Sequence, residues 1–185
     1  MLIDETEIPD PENIALEGYD EAVLKILHHF AYDRENIACV EFGRGNGKLI
    51  AWFDRHCLET GGKTVALEDW NQTIFQADKQ LYDDVDVLEW NAFGGNILEK
   101  QFDFIYCSLP NQIPGLSNEM FQDRLNEAFV KLKNMLSEGG ILVTTDYNVI
   151  TIKKAVAHID MPRWPYINTS TLEDPEYYLC VMHNG

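Results

Sequence analysis

A short apolar segment that runs directly into three closely spaced glycines constrains this chain more than any other feature. Segment 37–42 is followed by Gly43, Gly45 and Gly47, and a helical pattern of apolar residues begins at about Gly47. Glycine lacks a Cβ, so its backbone can approach a ligand closely, and the amide groups that open a helix attract polar or anionic groups. We therefore predict a strand, a tight turn and a helix whose first turn faces a polar ligand.

The spacing of these glycines argues against the two commonest nucleotide-binding loops. A dinucleotide fingerprint, G-x-G-x-x-G, needs a third glycine where Lys48 stands, and the chain reads G-x-G-x-G instead. A phosphate loop of the form G-x-x-x-x-G-K-[ST] needs a glycine at Phe42 and a hydroxyl residue at Leu49. A glycine-rich turn of an ordinary α/β protein stays open as an interpretation of this segment alone.

Apolar periodicity along the chain predicts that strands alternate with helices. We expect strands at residues 37–42, 64–68, 85–90, 102–107, 141–145, 166–168 and 177–183, and helices at about 19–31, 47–58, 71–82, 117–136 and 149–159. Gly139 and Gly140 are expected to close the fourth of these helices. The alternation favours a parallel sheet covered on both faces, and the last two strands, which no helix connects, indicate an antiparallel strand at one edge.

Length and charge narrow the domain organisation and the partners. A chain of 185 residues suits one domain, and we expect an acidic N-terminal arm at 1–18 and a single domain at 19–185. With 31 Asp and Glu against 14 Lys and Arg, the formal charge of −17 would repel a phosphate backbone. Nucleic acid is therefore a disfavoured partner, although the acidity could serve solubility alone.

The cysteines, the histidines and the hydropathy predict a cytoplasmic protein without a metal site. No C-x-x-C pair occurs, and Cys39 and Cys107 lie in apolar strand-like segments, as expected of buried thiols in a reducing compartment. The adjacent His28 and His29 would point in different directions on a helix, so they could not bind one ion together. No apolar stretch approaches the roughly 18 to 20 residues of a membrane span.

The candidate functional residues lie at the carboxyl ends of the predicted strands, where open α/β sheets bind their ligands. These segments are Glu41 with the glycine turn, Glu68-Asp69, Asn91-Ala92, Ser108-Leu109-Pro110, and the Gly-Gly turn with the apolar run after it. In this order they resemble the motifs of the class I, Rossmann-like S-adenosylmethionine (SAM)-dependent methyltransferases, and the resemblance covers about residues 19 to 183.

The resemblance implies both a fold and an activity. The fold is α/β, with a doubly wound, mostly parallel seven-stranded sheet in the order 3-2-1-4-5-7-6, an antiparallel last strand and helices on both faces. The activity is transfer of a methyl group from SAM to a small-molecule or protein acceptor. A companion subunit or a homodimer is compatible with so small a catalytic core.

Near the glycine turn, the resemblance implies contacts to the methionine part of SAM. Glu41 would meet the methionine amino group, directly or through water, and Gly43, Gly45 and Gly47 would form the floor of the site. Arg44 stands where the family usually has a small residue or cysteine. Its side chain could reach the methionine carboxylate, or it could pair with the acidic surface.

The next two strand ends would bind the nucleoside. Glu68 is expected to accept the ribose hydroxyls; Asp69 is the alternative, and would place Trp70 against adenine. Asn91, which replaces the family's usual acid and precedes Ala92, could accept from the adenine amino group, or it could simply be a turn residue.

The candidates to face the transferred methyl lie at the later strand ends and are Ser108, Asn111, Asp146 and Tyr147. Ser108 also counts among the cofactor contacts. Each of the four could instead be an ordinary polar loop residue. Asn111 replaces the aromatic residue that would stack on a planar base, which argues against base methylation. If these loops and the acidic arm form an electronegative mouth, the acceptor would be cationic or an amine.

Two other classes of function stay open. The loose matches at Arg44, Asn91 and Ser108 are also compatible with a non-catalytic or vestigial SAM-binding subunit. A nicotinamide-dependent dehydrogenase and a nucleic-acid methyltransferase are less favoured, the first because of Lys48 and the second because of the charge.

Overall fold

The structure, a computed structural model, describes residues 23, 26–27, 29–31, 34–42, 63–68, 86–89, 99, 101–108, 115–146, 167–168 and 178–184. Within these ranges the strands are β1 (Ala38–Phe42), β2 (Lys63–Glu68), β3 (Asp86–Glu89), β4 (Phe102–Ser108), β5 (Leu136–Asp146), β6 (Ile167–Asn168) and β7 (Tyr178–His183), and α1 spans Asn118–Asn134. The described residues between 23 and 31 are also helical. The predicted helices at 47–58, 71–82 and 149–159, and the arm at 1–18, lie outside the described residues.

The strands form one mixed sheet in the order β3-β2-β1-β4-β5-β7-β6. Strands β1 to β5 pair in parallel, and β7 pairs antiparallel with both β5 and β6. The predicted α/β class with a mostly parallel sheet is therefore confirmed.

The two described helical segments pack on opposite faces of the sheet. Successive strand residues point to alternate faces, and two separate apolar clusters result. On one face α1 packs Leu125 and Phe129 into the cluster that contains Val40, Ile105 and Leu142. On the other face, the helical residues before β1 pack against strand residues in a cluster of Val23, Ile26, Leu27, Phe30, Ala31, Ile37, Cys39, Phe104, Tyr106, Ile141, Val143 and Val181.

The end of α1 differs from the prediction. The helix ends at Asn134 and Leu136 already belongs to β5, so the prediction of a helix that continues to Leu136 is wrong. The cause is a contact with the neighbouring strand: the N–H of Phe102 donates to the carbonyl of Met135 at 2.8 Å, and Leu136 then pairs with Phe102. Pairing with β4 therefore ends the helix before the glycines are reached.

Gly139 and Gly140 lie inside β5 and do not close the helix, which corrects that prediction as well. Phe102 pairs with Leu136, but Phe104 pairs with Ile141, so β5 carries additional residues between these two pairs. Gly139 has a φ of +71°, a left-handed conformation that glycine adopts without a Cβ clash. The strand therefore begins at Leu136, five residues before the predicted start at 141, because an irregular segment joins its two paired parts.

The amino ends of three parallel strands are connected through side chains. The Asp103 carboxylate accepts the backbone N–H of Ala38 at 2.8 Å and the hydroxyl of Ser137 at 2.6 Å. The Asn184 side chain donates to the carbonyls of Leu136 and Ser137, at 3.0 and 3.1 Å. These bonds tie β1, β4 and β5 together at one edge of the sheet.

Two further predictions concern cysteines and the membrane. Cys39 and Cys107 are buried, as predicted from their apolar strand segments. Among the described residues, no helix has the length and apolar character needed to cross a membrane.

Candidate functional site

The carboxyl ends of the parallel strands meet at the edge of the sheet opposite the Asp103 connection. Strand β1 lies at the centre of the sheet, with β2 and β3 on one side and β4 and β5 on the other. The strand order therefore reverses between β1 and β4. In open α/β sheets this reversal leaves a crevice outside the carboxyl ends of the two strands, which is where ligands bind.

Three of the predicted site residues end strands at this edge. Glu68 is the last residue of β2, Ser108 the last of β4 and Asp146 the last of β5. The sheet therefore brings positions that are far apart in sequence to one edge, as the strand-end argument predicts. Their roles as ribose-binding or methyl-facing residues stay predictions.

Other predicted site residues lie outside the described residues, and their roles stay predictions too: Gly43, Arg44, Gly45, Gly47, Asp69, Trp70, Asn91, Ala92, Asn111 and Tyr147.

Glu41 is the predicted site residue whose side-chain environment the structure describes. It is the penultimate residue of β1, lies between Ala66 on β2 and Tyr106 on β4, and is 2% exposed. Burying a carboxylate costs several kcal/mol unless hydrogen-bond donors or a positive charge compensate. A buried carboxylate beside the strand-order reversal is thus suited to a cationic group such as an ammonium.

Tyr106 is a second buried polar residue beside the strand-order reversal, and the sequence reasoning missed it. It is 1% exposed and is the direct register partner of Glu41. The Glu41 Oε2 and Tyr106 hydroxyl oxygens are both buried. The available signal was a tyrosine in the run 104–107, whose other residues are apolar or cysteine; Tyr106 is two residues before Ser108 and therefore on the same side of the strand as that position.

The candidate site lies at an edge that carries several acidic positions. Glu68 pairs in register with Glu89, the last residue of β3, and Asp146 pairs with Tyr178 at the start of β7. Three of the five parallel strands therefore end in an acidic residue. Among the described residues, no group of three or more His, Cys, Asp and Glu side chains could hold a metal ion.

Comparison by sequence finds no relative: no protein-family model and no curated protein matches this chain.

Comparison by structure finds many similar proteins. A TehB-like SAM-dependent methyltransferase from Corynebacterium glutamicum ATCC 13032 Kitasato superposes with a TM-score of 0.69 at 12% identity, over 94% of this chain and 91% of the other. The N-methyltransferase NodS from Bradyrhizobium japonicum WM9 gives a TM-score of 0.66 at 14% identity, over 90% and 96%. A SAM-bound amino pentose methyltransferase from Micromonospora echinaspora gives 0.70 at 11% identity, over 94% and 93%.

These similarities establish the fold. The chain has the fold of SAM-dependent methyltransferases over nearly its whole length. The resemblance drawn from the sequence motifs is therefore confirmed for the fold. The similar structures include one with bound SAM and a NodS structure in complex with S-adenosylhomocysteine (SAH). At 11 to 14% identity the likeness concerns the fold and does not identify an acceptor.

Proposed function

We propose that this protein is a SAM-dependent methyltransferase that acts on a small-molecule or protein acceptor. The observation that carries the proposal is the buried carboxylate of Glu41, which lies beside the strand-order reversal of a fold shared with SAM-dependent methyltransferases. A carboxylate at this position suits the ammonium group of the methionine part of SAM, because a charge-assisted hydrogen bond would compensate its burial.

The architecture we propose is the complete doubly wound form of this fold. One domain at 19–185 would carry the seven-stranded sheet in the order 3-2-1-4-5-7-6, with helices on both faces, after an acidic arm at 1–18. The strand order and the packing of the two described helical segments on opposite faces support this proposal. The burial of Cys39 and Cys107 supports a cytoplasmic location.

In the proposed site each strand end holds one part of SAM. Glu41 would bind the ammonium group and Glu68 the ribose hydroxyls, with Asp69 as the alternative, while Asn91 would bind the adenine. When bound, SAM supplies an activated methyl group: an acceptor atom would bond to the methyl carbon in line with the C–S bond, and SAH would leave as that bond breaks. The protein's own contribution is then to hold both reactants in position and to exclude water.

The residues that would face the acceptor follow β4 and β5. Ser108 and Asp146 end these strands, and Asn111 and Tyr147 follow them in the sequence. Polar side chains at these positions would orient the acceptor atom towards the methyl group. The sequence places no histidine or lysine clearly as a general base, so an amine acceptor would have to lose its proton to solvent before it attacks the methyl group.

We further propose a cationic or amine acceptor. The formal charge of −17 and the acidic ends of β2, β3 and β5 support this, because they would attract a positively charged molecule. Two of the similar structures are an N-methyltransferase and an amino pentose methyltransferase. Methyl-transfer assays that compare amines with carboxylic acids test the idea, and selective methylation of carboxylic acids would contradict it.

Calorimetry with SAM, SAH and NAD tests the proposed function itself. We expect SAM and SAH to bind in the micromolar range and NAD not to bind. Binding of NAD without SAM would instead favour a dehydrogenase, and a protein that binds neither would exclude both enzymes.

A non-catalytic SAM-binding subunit is the second candidate function. It is favoured by Asn91 and Arg44, which depart from the residues usual in the family. Assays on cell extract, with the protein alone and with the proteins that copurify with it, separate the two candidates. Methyl transfer by the protein alone supports the enzyme, and transfer that occurs only with the copurifying proteins supports the subunit.

A further inference from the structure

Glu41 and Tyr106 are neighbours at the strand-order reversal. They are register partners on β1 and β4, so their backbones are about 4.8 Å apart. Residues paired in this way project to the same face of the sheet. Both residues are at least 98% buried, and Tyr106 belongs to the cluster that also contains the helical residues preceding β1.

The row of residues that contains this pair is otherwise apolar. From β2 to β7 the row consists of Ala66, Glu41, Tyr106, Val143 and Val181. Within this row the carboxylate and the phenol are the polar side chains. A phenol hydroxyl can donate to a carboxylate, and a buried carboxylate requires donors or a cation around it.

The pair lies close to the carboxyl edge. Glu41 precedes the last residue of β1, and Tyr106 is two residues before Ser108, the last residue of β4. Tyr106 therefore lies beside Glu41 within the sheet, two residues before the end of β4, and not among the acceptor-facing positions that follow β4.

We propose that Tyr106 is a positioning residue for the cofactor site. In the cofactor-bound protein its hydroxyl donates to the Glu41 carboxylate and keeps that carboxylate directed at the ammonium group of the methionine part. This inference rests on the proposed function and adds to it a residue that acts through Glu41 without touching the reacting atoms.

The test compares two ligands that differ in the part of the cofactor concerned. SAH carries the methionine-derived ammonium group, whereas 5′-methylthioadenosine has the nucleoside and sulfur but no amino acid portion. Calorimetry measures both affinities for the unmodified protein, Tyr106→Phe, Glu41→Gln and the double variant. Thr144→Val is the matched control, because Thr144 is equally buried on β5 but pairs with Cys107 on the other face of the sheet.

We expect Tyr106→Phe to weaken SAH binding about five- to tenfold, as for the loss of one hydrogen bond, and to change methylthioadenosine binding less than about twofold. The double variant should bind SAH no more weakly than Glu41→Gln, since the hydroxyl acts through the carboxylate. Thr144→Val should bind both ligands normally. Urea unfolding shows whether each variant folds, and Tyr106→Met, which also lacks the hydroxyl, replaces Tyr106→Phe if that variant does not.

If the unmodified protein binds SAH, any of three results contradicts this inference and leaves the proposed function standing. In the first, Tyr106→Phe binds SAH normally; in the second, it loses affinity equally for both ligands. In the third, its effect on SAH binding adds in full to that of Glu41→Gln. An unmodified protein that binds neither ligand overturns the proposed function, and this inference with it.

Discussion

The hydroxyl of Ser137 donates a 2.6 Å hydrogen bond to the carboxylate of Asp103, a residue 34 positions earlier in the chain. The other carboxylate oxygen of Asp103 accepts the backbone N–H of Ala38, 65 positions earlier, at 2.8 Å. One side chain thus joins the beginnings of β1, β4 and β5. Glu41, Ser108 and Asp146 lie at the carboxyl ends of the same three strands. By joining the amino ends, the Asp103 bonds help to hold these strands, and with them the three candidate site residues, in their relative positions.

Replacing Asp103 with alanine should destabilise the protein without altering the site directly. The change removes two hydrogen bonds to a partly buried carboxylate and leaves the Ala38 N–H without that acceptor, so the free energy of unfolding should fall by about 2 to 3 kcal/mol. Urea unfolding measures the loss. Asp123→Ala, on the exposed side of α1, is the control and should change stability by less than about 0.5 kcal/mol. Equal effects of the two substitutions would contradict a role for the Asp103 bonds.

The two glycines of β5 should respond differently to the same substitutions, because different constraints act on them. A Cβ at Gly140 would lie 3.0 Å from the carbonyl oxygens of Asp103 and Ser137, so Gly140→Ala should lower the free energy of unfolding by about 1 to 3 kcal/mol through crowding. Gly139 has open space around it but a φ of +71°, so Gly139→Ala should cost about 1 to 2 kcal/mol through its backbone conformation.

Asparagine distinguishes these two causes. It tolerates a left-handed conformation better than alanine does, so Gly139→Asn should be milder than Gly139→Ala. At Gly140 the larger side chain should be worse than alanine, because crowding by backbone atoms is the constraint there. Thermal or urea unfolding of the four variants gives both comparisons. The same ranking at both positions would show that one of the two explanations is wrong.

Ser117 should contribute measurably to the stability of α1. Its hydroxyl accepts the N–H of Met120 at 3.3 Å, and the residue has the extended backbone of an N-cap. Ser117→Ala should lower the free energy of unfolding by about 1 kcal/mol, whereas Ser117→Asp should keep most of the stability, because aspartate also caps and its charge suits the helix N-terminus. Urea unfolding of the two variants checks this, and an aspartate variant as unstable as the alanine variant would refute it.

Glu41→Gln should weaken binding of SAH about tenfold or more, because it replaces a charge-assisted hydrogen bond to the ammonium group with a neutral one. Calorimetry measures the change. Glu138→Gln removes one charge from an exposed position in β5 near the opposite edge of the sheet, so it controls for the overall charge and should leave the affinity unchanged. Equal affinities of the two variants would argue against Glu41 as the residue that binds the ammonium group.

Much of the secondary structure followed from local patterns. The strand before Gly43 was predicted at 37–42 and spans Ala38–Phe42, and the helix expected from residue 117 begins at Asn118 with Ser117 as its cap. Alternation, helical periodicity and capping depend on residues within a few positions of each other, so they can be interpreted along the chain. The strand-end rule also predicted correctly that Glu68, Ser108 and Asp146 would lie at the carboxyl ends of strands of one sheet.

The beginning of β5 could not be predicted in this way. A Gly-Gly pair after an amphipathic helix is typical of a helix end, yet in the structure Leu136 pairs with Phe102 before the glycines are reached. Asn184, 44 to 48 residues further along the chain, bonds to Leu136, Ser137 and both glycines and holds the irregular segment in place. Interactions over such separations override the local preference.

Apart from the beginning of β5, the sequence by itself determined which segments form the described strands, which polar residues lie at their carboxyl ends and which kind of cofactor its spaced glycines suggest, because those properties depend on side-chain type and short-range spacing. Only the tertiary structure decided that Glu41 lies beside Tyr106 and that Asp103 joins three strands. Both relationships depend on the register between β1 and β4, which is set when the sheet assembles from segments more than 60 residues apart.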